Sequence, residues 1–284
     1  MNVYCLEQAE TDVTSEPVWL SPREALCLNG FRFPKRRADW RLGRWTAKRA
    51  VAACLNVPSH PQALARIEIH PAPSGAPEVF FDNQPARITL SLSHSSGRAL
   101  AAVAEPGVKL GCDLEMIEAR SNAFITDYLT AEEQALIART PAEDKAWLTT
   151  LLWGAKESAL KALHEGLRLD TRSVIVSLEA SSRNSNSWSP LWVRYVGGQA
   201  LHGWWQHSGN VLRTLVADPV PARPIWLEGC RASGAAQQGG HDVGRSKECG
   251  APFSRIRVCD AQLGVTELTN PFGAARARLW TVKS

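Results

Sequence analysis

The sequence predicts an α+β protein made of two pseudo-symmetric halves. Strand and helix patterns alternate along the first 220 of its 284 residues, and each half carries a few strands and one long helix. The two halves meet near Pro106-Gly107, a pair that favours a turn. The predicted divisions are therefore 1–107, 108–220 and a final extension over 221–284. No sequence repeat is strong enough to establish the similarity of the halves by itself.

The first half begins with a helix predicted from about Arg37 to Leu55. Apolar Trp40, Ala47 and Val51 recur there at helical spacing. A loop rich in proline over 71–77 separates the first two strands that follow. The strands of this half are predicted at Arg66–His70, Glu78–Phe81, Ile88–Ser93 and Ala99–Ala104.

The second half starts with a strand at Lys109–Glu115, followed by a helical region predicted from Ala131 to Leu163. Its later strands are predicted at Val174–Glu179, Leu191–Val196 and Leu212–Ala217. Beyond Pro219 the periodicity is lost and Pro, Gly, Ser, Ala and Gln dominate. We therefore expect 221–284 to be a poorly ordered extension.

Composition argues against a nucleic-acid or membrane partner. The formal net charge of +4 lies in the tail, because residues from Ala222 onward carry nine Lys and Arg against five Asp and Glu. The rest of the chain is neutral, unlike a domain that grips a phosphate backbone. The longest apolar run, Trp147 to Trp153, is too short to span a membrane. Met1 to Thr11 carries acids and no apolar stretch, so a signal peptide is not expected.

The cysteines indicate a reducing compartment. All seven are scattered, and none forms a C-x-x-C pair. This pattern gives neither a zinc site nor a disulfide framework, and it favours a cytoplasmic location. The residues are Cys5, Cys27, Cys54, Cys112, Cys230, Cys249 and Cys259.

Two acids end the strand that opens the second half, in Gly111-Cys-Asp113-Leu-Glu115. Residues two apart on a strand point to the same face, so the two carboxylates project together. They repel each other unless a positive charge lies between them, and Mg²⁺ with its preference for oxygen ligands is a natural candidate. The alternative is a strand end that reaches solvent, where two acids are harmless.

A second cluster lies in the long helix, in Trp153-Gly-Ala-Lys156-Glu157-Ser-Ala-Leu-Lys161. Trp153, Glu157 and Lys161 are spaced i, i+4 and i+8, so they form a stripe on one face. This stripe places a carboxylate and a cation where they can face the strand acids across a cleft. The alternative is an ordinary surface ion pair between Glu157 and Lys161.

Hydroxyls and an imidazole follow one another in Ser91-Leu-Ser93-His94-Ser95, at the predicted end of a strand. No G-x-S-x-G surrounds them, which argues against a hydrolase nucleophile. A turn that holds phosphate oxygens is one interpretation. A turn capped by its own serine side chains is the other.

A basic segment precedes these clusters, with eight Lys and Arg between Arg32 and Arg49 against a single acid, Asp39. Four of the basic residues follow helical spacing and predict a cationic stripe. The stripe is either a clamp for a phosphate-rich ligand or a solvated helix face. Its members are Arg37, Arg41, Arg44 and Lys48.

Taken in order, Ser-His-Ser, G-x-D-x-E and W-x-x-K-E-x-x-x-K resemble the Sfp-type 4'-phosphopantetheinyl transferases. The resemblance covers about Leu20 to Ala217 and includes two flanking segments. These are Arg41-Leu-Gly-Arg44 on the first helix and Glu165-Gly-Leu-Arg-Leu after the second. The family implies two pseudo-symmetric α/β halves with the active site at their interface, and a monomer is expected because both halves of the site lie in one chain. It transfers phosphopantetheine from coenzyme A to a serine of an apo acyl- or peptidyl-carrier protein and releases 3',5'-ADP.

The resemblance also implies roles for the acids and the lysine. Asp113, Glu115 and Glu157 would ligate Mg²⁺ against the pyrophosphate of coenzyme A. Glu157 would be the general base for the carrier serine. Lys161 would contact the phosphates and offset charge that develops in the transition state. Asp113, Glu157 and Lys161 are thus the implied catalytic residues.

Coenzyme A itself is expected to contact residues of both halves. Ser93, His94 and Lys161 would hold its phosphates, while Arg44 with Arg37 and Lys48 would hold its nucleotide end. One departure from the family lies before the Ser-His strand, where Gly75-Ala76-Pro77 replaces the usual Gly-Lys-Pro. One phosphate contact is therefore missing, which would weaken coenzyme A affinity unless Arg87 or Lys48 takes the place of the lysine.

Two other functions remain open on the sequence. A magnesium-dependent nuclease also groups acids and a lysine around its metal, but usually as E-x-K on a strand. Here the spacing is E-x-x-x-K on a helix. A non-catalytic binder of coenzyme A or of carrier proteins is the second alternative, and Ala76 is the feature that favours it.

Overall fold

The structure is a computed structural model that describes residues 1–165, 169–178, 187–198 and 200–227. It confirms the predicted α+β class. The helices are α1 (Pro22–Asn29), α2 (Pro34–Leu55), α3 (Pro61–Ala65), α4 (Asn122–Tyr128), α5 (Ala131–Arg139) and α6 (Ala142–Ala162). The strands are β1 (Tyr4–Ala9), β2 (Ile67–Pro71), β3 (Pro77–Phe81), β4 (Gln84–Pro85), β5 (Thr89–Ser95), β6 (Arg98–Ala104), β7 (Lys109–Met116), β8 (Val174–Leu178), β9 (Ser189–Tyr195), β10 (Ala200–Ser208), β11 (Val211–Asp218) and β12 (Ile225–Trp226).

Each long helix packs on its own sheet. Among the described residues, β12-β1-β6-β5 form one sheet, on which α2 lies, and β3 of the β2-β3-β4 sheet packs against β5. The other sheet has the order β7-β11-β10-β9-β8 and is covered by α6. In the first half, β4 aside, the strands lie side by side in the order β1-β6-β5-β3-β2. When the strands of each half are numbered from its start, this order and β7-β11-β10-β9-β8 are the same: first, fifth, fourth, third, second. This correspondence supports our division into 1–107 and 108–220, which we keep as a proposal.

The two sheets meet at β5, β6 and β7, where apolar side chains from both fill the space between them. Burying such side chains away from water is the main force that joins the two halves. The strand β7 therefore has α6 on one side and β5 on the other. That position brings its polar residues close to both. The shared core includes Val3, Cys5, Leu100, Ala102, Leu110, Cys112, Leu114 and Leu215.

The structure corrects two predictions of secondary structure. The helical region from Ala131 to Leu163 is two helices, because the chain breaks at Thr140-Pro141 and Pro141 caps α6. The stretch Ser91–Ser95 lies within β5, and the turn comes after it at Ser96-Gly97, where both residues have positive φ.

The extension predicted over 221–284 begins with ordered chain. Ile225 and Trp226 pair in parallel with Tyr4 and Cys5, and Trp226 stacks on Trp188. Residues 228–284 lie outside the described part of the chain. In the stretches that the structure does describe, no helix is both long and apolar enough to cross a membrane.

Candidate active site

Asp113 lies at the centre of the predicted cluster. It sits on β7, is almost fully buried, and its Oδ1 accepts hydrogen bonds from Ser93 Oγ and Lys161 Nζ, each at 2.7 Å. Its Oδ2 is buried and has no hydrogen-bond partner among the described residues. A buried carboxylate oxygen without a partner is costly, so this atom is suited to a ligand with positive charge.

Glu115 lies two residues along β7 and is half-buried. Its Oε1 accepts from Trp153 Nε1 at 3.0 Å, and its Oε2 accepts from Arg120 at 3.2 Å. Burial, together with the neighbouring charge of Asp113, raises the pKa of Glu115 to about 7. The two carboxylates therefore lie in a site that has too little positive charge for both acids.

Helix α6 brings Glu157 and Lys161 to the same place. Burial lowers the pKa of Lys161, but the charges of Asp113 and Glu157 more than offset it, so the pKa is raised overall. Lys161 Nζ also donates to the Cys112 carbonyl at 3.0 Å. Lys161 therefore stays protonated, which suits a residue that neutralises phosphate charge and does not suit a base.

The strand β5 contributes its serines to β7 from across the sheet interface. Ser91 Oγ accepts from Cys112 N at 3.0 Å, and Ser93 Oγ donates to Asp113. His94 is half-buried next to them, and burial lowers its pKa, against the opposing charges of Asp39 and Asp113. Ser93 and His94 thus lie beside the acids of the second half, and their contact with coenzyme A phosphates stays a prediction.

The basic segment does not form one solvent-facing stripe. Arg37 is exposed at the start of α2, and Arg41 donates to the carbonyls of Thr14 and Ser15. Arg44 is largely buried over the Trp40 ring, with its Nε 3.9 Å from Glu24 Oε1.

Lys48 overturns one expectation. It is completely buried, pairs with Glu24 and donates to the Trp19 carbonyl at 2.9 Å. The pairing holds it inside the first half, so we remove Lys48 from the residues expected to contact coenzyme A or to replace the missing loop lysine. Arg87 is exposed and remains a candidate for that replacement.

Sequence reasoning missed a buried glutamate–lysine ion pair that occurs in each half. Glu24 and Glu133 are the third residues of their helices and complete capping boxes with Ser21 and Thr130. Each also pairs with a buried lysine of the following long helix, Glu24 with Lys48 and Glu133 with Lys156.

A short repeat in the sequence carries the signal for this ion pair. Each capping box, Ser21-Pro-Arg-Glu24 or Thr130-Ala-Glu-Glu133, is followed by the same tetrapeptide pattern, W-x-A-K. The two copies are Trp45-Thr-Ala-Lys48 and Trp153-Gly-Ala-Lys156.

Comparison with protein families matches residues 109–214 to the 4'-phosphopantetheinyl transferase superfamily. This match covers 106 of the 284 residues. The matched segment runs from β7 into β11 and contains Asp113, Glu115, Glu157 and Lys161. Ser93, His94 and the basic residues of α2 lie before it. A comparison with curated proteins found none that matches.

The matched superfamily implies Mg²⁺, and the residues of the matched segment fit it in two ways. Asp113 offers a buried oxygen that has no hydrogen-bond partner in the described part of the chain, and Glu115 has a pKa that a nearby cation would lower. Within the described ranges, no group of three or more His, Cys, Asp or Glu side chains is placed to hold a metal ion. The donor set is nevertheless all oxygen, which is what Mg²⁺ prefers.

Proposed function

We propose that this protein is an Sfp-type phosphopantetheinyl transferase, which moves phosphopantetheine from coenzyme A to a serine of an apo acyl- or peptidyl-carrier protein. The observation that carries the proposal is Asp113: it is held by Ser93 from one half and by Lys161 from the other, with Oδ2 left open. The superfamily match over 109–214, which contains Asp113 and Lys161 but not Ser93, supports a phosphopantetheinyl transferase in general. The carrier, its serine and the Sfp-type assignment are our inference.

Mg²⁺ would be held by Asp113, Glu115 and Glu157. When bound, it would supply charge neutralisation at the pyrophosphate of coenzyme A. Asp113 is the best placed of the three, because Ser93 and Lys161 fix its side chain from two directions. Glu115 is oriented by Trp153 and Arg120.

The phosphates of coenzyme A would lie against Lys161, Ser93 and His94. An ammonium group has three N–H bonds, and the contacts to Asp113 and Cys112 use two of them. The third is suited to a phosphate oxygen. Arg44 and Arg37 on α2 would contact the nucleotide end.

Glu157 is the proposed general base. It takes the proton of the carrier serine hydroxyl while that oxygen forms a bond to the phosphorus that bears pantetheine. The bond from this phosphorus to the bridging oxygen breaks, and 3',5'-ADP leaves. Lys161 offsets the negative charge that develops on the phosphate oxygens, because its pKa is raised and it remains a cation.

The other functions considered fit less well. A nuclease needs a basic surface for its substrate, whereas the charge excess of this chain lies beyond Ala222. A non-catalytic binder has no need of a buried acid with an open oxygen. A cytoplasmic monomer is part of our proposal, since both sides of the site come from one chain and the described cysteines Cys27, Cys54 and Cys112 are thiols outside any disulfide.

The test is intact-mass analysis of apo carrier proteins incubated with this protein, coenzyme A and Mg²⁺. We expect each accepted carrier to gain the mass of one phosphopantetheine arm, and we expect chelation of the metal to abolish the gain. Glu157→Gln should lose transfer, while Glu143→Gln, an exposed acid on the same helix, should keep it. Measurable coenzyme A binding with no mass gain on several carriers would favour the non-catalytic binder instead.

A further inference from the structure

Lys156 and Glu133 join three elements of the second half at one buried point. Lys156 Nζ donates to the carbonyls of Thr171 and Val174 and lies 2.9 Å from Glu133 Oε2. Three acceptors match the three N–H bonds of an ammonium, so the group is satisfied although it is completely buried. The position of α6 is therefore tied to the chain that leads into β8.

Glu133 extends the same connection to α5 and β8. Its Oε2 also accepts from Thr130 N at 2.9 Å, and its Oε1 accepts from Val176 N at 3.2 Å. Each oxygen of this buried carboxylate thus has at least one donor. A pair with this many partners holds its two side chains in one geometry.

The pair lies next to the proposed base along the helix. Consecutive residues of an α-helix are about 100° apart around the axis. Fixing Lys156 toward α5 and β8 therefore fixes the direction in which Glu157 leaves the helix. Lys161, which contacts Asp113, lies little more than one turn further along the same helix.

The first half contains the same arrangement without any acid of the site on its helix. Lys48 pairs with Glu24, whose Oε2 accepts from Ser21 N at 3.1 Å and whose Oε1 accepts from Ile69 N at 3.3 Å. The two copies match element by element, as a capping box, a long helix and the edge strand that follows. The residue after Lys48 is Arg49, which lies over the Trp45 ring.

We propose that the Glu133–Lys156 pair is a positioning device for Glu157, whereas the Glu24–Lys48 pair serves the folding of its own half. The inference rests on the proposed function, because it assigns Glu157 to the metal and base site. Removing one partner would leave the other charged and buried, which is strongly destabilising. The informative variants therefore replace both partners together, as Glu133→Gln with Lys156→Met and, as the matched control, Glu24→Gln with Lys48→Met.

The measurement is calorimetric binding of Mg²⁺ in the presence of coenzyme A, with urea unfolding of each variant beside it. We expect the Glu133/Lys156 double variant to bind Mg²⁺ about ten- to hundredfold more weakly, the usual effect of losing a residue that orients a metal ligand. The Glu24/Lys48 double variant should lose comparable stability and keep its Mg²⁺ affinity within about twofold. Glu133→Asp keeps the charge but shortens the side chain, so its Mg²⁺ affinity should lie between those of the two double variants. This single variant still tests the proposal if the Glu133/Lys156 double variant does not fold.

Two results would overturn the proposal. Unchanged Mg²⁺ affinity in the Glu133 variants would make the pair purely structural, and an equal loss in both double variants would indicate general loosening of the protein. Failure of the proposed function looks different, because the unaltered protein would then transfer no phosphopantetheine in the mass assay.

Discussion

Gly111 of β7 lies directly against Ser158 of α6. A Cβ atom added at Gly111 would come within 1.8 Å of the Ser158 carbonyl oxygen and 2.8 Å of the Ala162 amide nitrogen. The absence of a side chain at Gly111 therefore lets the helix approach the strand that carries Asp113. This close approach is what brings Lys161 within hydrogen-bond distance of the Asp113 carboxylate.

Gly111→Ala is expected to destabilise the protein severely. The added methyl would meet helix backbone, which cannot move aside as a flexible side chain can. We expect a loss of at least about 3 kcal/mol in the free energy of unfolding, at the upper end of overpacking costs. Urea unfolding measures it, and Lys109→Ala, on an exposed position of the same strand, should change stability by less than about 0.5 kcal/mol. A folded Gly111→Ala variant of normal stability would show that the helix does not lie so close.

Gly154→Ala is expected to separate metal binding from folding. A Cβ at Gly154 would lie 3.5 Å from Asp113 Oδ2 and 3.2 Å from Thr214 Oγ1, a tight contact that requires the Thr214 side chain to shift by a few tenths of an ångström. Alanine also favours a helix interior over glycine. The methyl would nevertheless fill space beside Asp113 Oδ2, the oxygen for which the described residues supply no hydrogen bond.

The higher helix propensity of alanine should offset the shift at Thr214, so stability should change by less than about 1 kcal/mol. Mg²⁺ binding in the presence of coenzyme A should weaken about tenfold, or about 1.4 kcal/mol. Calorimetry and urea unfolding of the same preparation check both parts. Mg²⁺ affinity equal to that of the unaltered protein would argue that the cation does not approach Asp113 from the side of α6.

The local pattern was enough to predict which side chains of the second half share a face. Asp113 and Glu115 alternate on a strand, and Glu157 and Lys161 are one helical turn apart, so their spacing alone predicted shared faces. What the spacing did not contain was the distance between the two faces. That distance depends on Gly111, whose role appears only once α6 is packed on β7.

The errors share a physical cause. Lys48 follows the helical spacing of the basic segment, yet its partner Glu24 is far away in sequence, and only packing shows that the lysine is buried. The strand β1 was missed because it carries Glu7 and Gln8, polar residues that do not alternate with apolar ones as strand patterns require. Glu7 is accommodated there by Arg213, an arginine from the other half.

Cysteine reactivity should distinguish buried from exposed thiols. Burial raises the pKa of Cys54 to about 12, whereas Cys27 is exposed on α1. Since the thiolate is the reactive form and the pKa is raised, less than about 1% of Cys54 is ionised even at pH 9.5. Iodoacetamide at pH 8 should therefore modify Cys27 and leave Cys54 unmodified, as peptide mass mapping would show. Labelling in urea is the control, since unfolding should expose both thiols, and equal native labelling of the two would contradict the burial of Cys54.

The Glu7–Arg213 pair connects the two halves of the protein and should contribute strongly to stability. Both side chains are largely buried, and Arg213 Nη2 donates to Glu7 Oε1 at 2.9 Å while Nε contacts Oε2. Arg98 contacts the same carboxylate at 3.0 Å, but its side chain is 42% exposed.

Glu7→Gln would leave Arg213 charged and buried without its counter-ion, so we expect a loss of about 3 kcal/mol in the free energy of unfolding. Arg98→Ala removes a pair that is open to solvent and should cost no more than about 1 kcal/mol. Urea unfolding at low and high salt compares the two, and the Arg98 effect should shrink with salt because exposed pairs are screened more than buried ones. Equal losses for the two variants would mean that the buried arginine does not join the halves.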